Sequence, residues 1–170
     1  MESSAGAPLT PQGIAQVQAQ ARQLAECQID VVYASQGESE RQSAHLAADI
    51  LGRKVRTAPN LREIDYGLWQ GLTLLELKRR QPRVYRQWTE QPMTICPPSG
   101  ETMVEAEHRL RVTMKGIIKR HKAETLLVVL RPVAMGLLRC ALEDRAPQTI
   151  WEQLDCEFIC RRYETDGSNL

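Results

Sequence analysis

IDVVYASQGESERQSAHLAADIL, residues 29–51, contains a strand, a turn and a helix in succession. Ile29 to Ser35 is rich in β-branched side chains and has the length of a buried strand. From Glu38 to Leu51 the residues Ala44, Ala47, Ala48 and Leu51 fall on one helical face, and Gly52 supplies a stop. Further along, Leu126 to Leu130 (LLVVL) is the strongest strand signal in the chain, and a helix from Val133 to Leu142 follows it. Upstream, Thr10 and Pro11 open another helix: the hydroxyl caps, and the proline lacks an N–H that is not needed there. Ile14, Val17, Ala21 and Leu24 form its inner face. Alternating strand and helix patterns imply an α/β fold of three layers, helices on both faces of a mostly parallel sheet.

The remaining segments fit that frame. The surroundings of Val55 read as a short edge strand, and Leu61 to Gly71 (LREIDYGLWQG) as a loop whose Trp69 packs against the core. A helix is expected over Thr73 to Arg80, and Pro82 and Pro92 break the next stretch into short pieces. Lys78, Arg79, Arg80, Arg83 and Arg86 read as a solvated face, with Tyr85 and Trp88 on the packed side. Thr102 and Glu105 form a capping box for a helix running to about His121. A last strand is expected near Glu157 to Tyr163, followed by a polar tail from about residue 165 that frays. Without repeats or a long linker, residues 1–170 read as a single domain.

Composition narrows the function classes. The 22 basic and 21 acidic residues leave a formal charge of +1, which gives no electrostatic case for nucleic acid or an anionic membrane. No run reaches the ~18 apolar residues of a membrane span. Met1 to Ser4 lacks the features of a secretory signal, so a cytoplasmic protein is expected. Of the five cysteines, only Cys156 and Cys160 are close, and no second pair or nearby histidine completes a zinc site. Reduced, mostly buried thiols are expected, with neither metal nor cofactor.

Five segments together carry a resemblance. They are PLTPQG (8–13), VVYASQGESERQSA (31–44), LREIDYGLWQG (61–71), PPSGET (97–102) and LLVVLRP (126–132). In this order and at this spacing the chain resembles the phosphoglycerate-mutase-like histidine phosphatase superfamily. The resemblance implies a definite chemistry. A histidine at the end of a first strand attacks phosphorus, two arginines and a second histidine surround the phosphoryl oxygens, and a glutamate protonates the leaving group.

Carried over by position, Glu63 stands where the acid is expected. Counting from Ser35, the second arginine's place is held by Ser39, and Arg41 lies two residues beyond, about 200° further around a helix. The second histidine's place is held by Arg131, and Pro132 after it lacks a backbone N–H. The seven residues before Pro8 hold no histidine, arginine or strand pattern. His45, His108 and His121 fall in helices and read as solvated or packed residues.

The resemblance therefore implies a degenerate member with no intact catalytic residue. Glu63 is the remnant acid, and Ser35, Ser39 and Arg131 are remnants of the phosphate pocket. Glu63 is expected to pair with Arg131, because a lone buried carboxylate is costly. The first, central strand is expected to be missing, its edge covered by upstream sequence, a second copy or a partner chain. The implied function is a pseudophosphatase acting as a binding or scaffold protein, with phosphate or a phosphometabolite as ligand. The rival is an active phosphatase or mutase-like enzyme whose start lies upstream of Met1.

Overall fold

The computed structural model describes residues 6–146, 150, 160–168 and 170. Its elements are α1 (Pro11–Gln23), β1 (Val31–Ala34), α2 (Glu38–Leu51), β2 (Lys54–Thr57), α3 (Leu74–Arg80), α4 (Pro82–Glu90), α5 (Met103–Arg120), β3 (Leu126–Val129) and α6 (Pro132–Leu142). The sheet order is β2-β1-β3 and both pairings are parallel, with Val32 opposite Val55 and Leu127. Parallel neighbours need long crossovers, which α2 and the α3–α5 stretch supply.

Side-chain alternation along β1 sorts the layers. Val32 and Ala34 join Ala44 and Ala48 of α2 on one face, with Leu127 and Val129 of β3. Val31 and Tyr33 face the larger core built from Leu110, Met114 and Ile117 of α5 and Val133 and Leu137 of α6. The three-layer expectation holds. The edge strand β2 presents Lys54 and Arg56 to solvent, which discourages further pairing there. Among the described residues, no strand pairs with the outer edge of β3.

Local chemistry explains the helix ends. Thr10 Oγ1 accepts from Gly13 N at 3.1 Å, and Gly52 closes α2 at φ +65°, a conformation that costs glycine little. The expected capping box at Thr102 and Glu105 forms at the start of α5, and Thr73 with Glu76 makes a second one at α3. Trp88 is buried against Trp69, while Lys78 lies over the Tyr85 ring.

In the tail from about residue 165, Leu170 is buried in the main core and Lys115 Nζ donates to its carbonyl at 2.7 Å. One apolar side chain with a pocket to enter outweighs the polarity around it. The thiols are not mostly buried: among those described, Cys140 is buried and Cys27 half-buried, while Cys96 and Cys160 are exposed. The strand expected at 157–163 lies partly outside the described residues, and residues 160–163 are irregular. Cys156 also lies outside them.

The loop from 61 to 71 is tied to α5 by charge. Arg109 grips Glu101 with two hydrogen bonds of 2.7 Å, and its Nη1 reaches the carbonyls of Asn60 and Arg62. Arg62 adds a third bond to Glu101 at 3.0 Å. Gly67 (φ +48°) passes so close to the backbone of Pro98 and Gly100 that any side chain there would collide. Burial alone would raise the Glu101 carboxyl, but the two guanidiniums outweigh it and hold it below the ordinary carboxylate range. A carboxyl lowered by folding stabilises above its unfolded value of 4.5 and loses that contribution as pH falls through the native value. Arg109→Met is expected to cost about 2–3 kcal/mol at neutral pH in urea unfolding. The gap to the parent protein should narrow below about pH 4.5, and a pH-independent gap would show that the pair is not the cause.

Candidate functional site

A cavity of about 400 Å³ opens beyond the carboxyl ends of β1 and β3, where α/β sheets place ligands. Ser35, Gln36 and Gly37 come from the turn after β1, and Glu40 from the first turn of α2. The loop contributes Arg62 to Tyr66 and Gln70, and Arg131 stands as N-cap of α6. The structure thus brings Ser35, Glu63 and Arg131 together in one wall. Ser39 stays outside the lining but touches it through its neighbour.

That neighbour is Glu40, only 4% exposed. Its Oε1 accepts from Ser35 Oγ at 2.9 Å and its Oε2 from Ser39 Oγ at 2.7 Å. Ser35 Oγ in turn accepts from Gly37 N. A Cβ at residue 37 would sit 2.5 Å from Oε1 and 2.6 Å from Oε2, so the carboxylate holds this position because glycine leaves the space open. Arg41 does not enter the cavity: it pairs with Glu38 at 2.7 Å on the exposed side of α2, as the rotation between positions 39 and 41 requires.

Glu63 does not find its partners where the sequence reading placed them. Its hydrogen bonds go to backbone: Ile64 N at 2.8 Å to Oε1, Val133 N at 2.9 Å to Oε2 and Ala134 N at 2.9 Å to Oε1. The last two are free donors at the start of α6, and Pro132 occupies the position where an N–H is dispensable. Glu63 therefore plugs the positive end of α6, a place where anions commonly bind. Arg131 acts on it only through its nearby charge. Burial pushes the Glu63 carboxyl above the usual range, while the backbone donors and the Arg131 charge pull the other way.

Tyr66 completes the floor. It is 8% exposed, its ring packs at 6.1 Å from that of Trp88, and its hydroxyl has no hydrogen-bond partner among the described residues. Burial, and then the Glu63 charge, drive this hydroxyl far above its ordinary pKa, so it remains a donor.

The histidines stand elsewhere. His45 and His108 lie exposed on α2 and α5. His121 is buried at the end of α5, where its ring nitrogens meet Tyr33 Oη at 2.9 Å and Glu124 Oε2 at 2.8 Å. Among the described residues no cluster of ligating side chains could hold a metal ion. No described helix is long and apolar enough to cross a membrane. Sequence reasoning missed Glu40 and Tyr66. For Glu40 a signal existed: it lies four and seven residues before Ala44 and Ala47, on the inner face of α2.

The family model described as histidine phosphatase superfamily (branch 1) matches residues 1–168. Phosphoserine phosphatase 1 of Hydrogenobacter thermophilus is 28% identical over 134 residues, 79% of this chain and 64% of that protein. The chain thus spans under two thirds of that curated relative. The structure of YhfR from Bacillus stearothermophilus superposes with a TM-score of 0.82 at 24% identity, over 89% of this chain and 75% of that one. A mycobacterial glucosyl-3-phosphoglycerate phosphatase gives 0.78 at 23%, over 88% and 74%. At these identities the two structures speak for the fold.

Removing the Glu63 carboxylate leaves two N–H groups at the start of α6 without acceptors. Glu63→Ala is expected to destabilise by about 1–3 kcal/mol in urea unfolding, and to speed hydrogen exchange at Val133 and Ala134. Unchanged exchange at those two amides would show that Glu63 does not cap α6.

Proposed function

The chain belongs to the histidine phosphatase superfamily (branch 1), and from that membership we propose that it is a non-catalytic, ligand-binding member of the family. The observation that carries this reading is the buried Glu40 carboxylate in the cavity wall. The family's chemistry, as the sequence resemblance implies it, gathers positive and proton-donating groups around a phosphoryl group. Here a carboxylate is held in that wall by two serine hydroxyls, and the residue at the arginine position, Ser39, serves to hold it. A second anion-binding feature, the start of α6, is filled by Glu63 from within the chain. Both carboxylates raise the cost of placing a phosphate ester at this point, since like charges repel strongly in a low-dielectric site.

One observation favours the rival reading of an active phosphatase. Glu63, in the position of the family's general acid, does face the cavity. Its carboxyl is already committed to three backbone donors, which leaves it poorly placed to give a proton to a leaving group.

Purified protein is expected to form no phosphohistidine and to hydrolyse para-nitrophenyl phosphate no faster than buffer. Turnover that disappears in Glu63→Gln would overturn the non-catalytic reading.

A further inference from the structure

We infer that the cavity receives a small molecule carrying an ammonium group beside a hydrogen-bond acceptor, with the ammonium on the Glu40 carboxylate and the acceptor on the Tyr66 hydroxyl. This rests on the non-catalytic reading above and names the ligand class for the same site.

Charge balance is the first support. Among the described residues the cavity wall holds three carboxylates, Glu40, Glu63 and Asp65, against two guanidiniums, Arg62 and Arg131. Arg62 already gives Nη1 to Glu101 at 3.0 Å. Glu63 is occupied by backbone N–H groups, and Asp65 accepts from Gly67 N at 2.9 Å. Glu40 has hydroxyl donors and no cationic partner among the described residues. A buried carboxylate lacking a cation is costly, and an ammonium supplied by a ligand removes that cost through short, charge-assisted bonds.

The Tyr66 hydroxyl is the second and independent support. It belongs to a side chain more than nine-tenths buried, lines the same cavity, and has no acceptor among the described residues. Among the described residues no fully buried side-chain polar atom lacks a partner, so this hydroxyl is open to the cavity, where a ligand can meet it. An acceptor on the ligand, such as a carboxylate or carbonyl, takes the hydroxyl proton. The volume, about 400 Å³, suits a small molecule.

The full chain, isotopically labelled, can be titrated with γ-aminobutyrate, n-butylammonium, butyrate and inorganic phosphate while the Gly37 and Tyr66 signals are followed. γ-Aminobutyrate is expected to shift both signals and to bind more tightly than either half-molecule, with phosphate shifting neither. Glu40→Gln should weaken binding about tenfold. Tyr66→Phe keeps the ring packing and should weaken γ-aminobutyrate while leaving n-butylammonium unchanged. This second variant decides the matter if Glu40→Gln does not fold. Phosphate shifting these signals in place of the amine, affinities indifferent to both variants, or silence with all four probes would each overturn the inference. Para-nitrophenyl phosphate turnover alongside the expected amine binding would remove the non-catalytic reading and leave the amine site standing.

Discussion

A single carboxylate, that of Glu63, joins the two segments that make the site. It accepts from its own loop at Ile64 and from the first free amides of α6 at Val133 and Ala134. Loop and helix are 70 residues apart in sequence for the Val133 bond, so this contact fixes where Arg131 and Tyr66 stand relative to β1. The interaction is favoured because helix starts expose several N–H groups at once, and a buried carboxylate needs several donors to offset its desolvation. Each part satisfies the other's deficit.

Two acidic residues near the site illustrate how surroundings decide a carboxyl's role. Glu101 sits between two arginines and fastens the loop to α5, its proton held less tightly than usual. Glu63, with only backbone dipoles and one nearby charge, is shifted in the opposite direction. The loop itself is squeezed against the 97–100 turn, where Glu101 N and Leu68 N donate across to Asp65 O and Pro98 O. The tryptophan pair, Trp69 and Trp88, fills the space beneath.

Much of the architecture was legible because it rests on periodicity. The apolar strand at 31–34, the alanine face of α2 and the caps at Thr10 and Thr102 are local signals, and local signals survive tertiary context when they all agree. The site was legible only in part. Ser35, Glu63 and Arg131 line one cavity, yet the partners of Glu63 could not be read, because backbone donors carry no letter in a sequence. The Arg131–Pro132 step marked a helix start and so marked where such donors would be. The docking of Leu170 was hidden for a related reason: a single apolar residue in a polar tail has no period to reveal it.

The fit between Gly37 and Glu40 couples the two positions. Because a methyl group at 37 would overlap both carboxylate oxygens, neither position can drift without regard to the other. With glutamate at 40, a side chain at 37 would have to push the carboxylate off Ser35 and Ser39, whereas a short side chain at 40 would leave that space open. Glycine at 37 is therefore what lets the acidic residue keep both serine partners, and a change at either position is felt at the other.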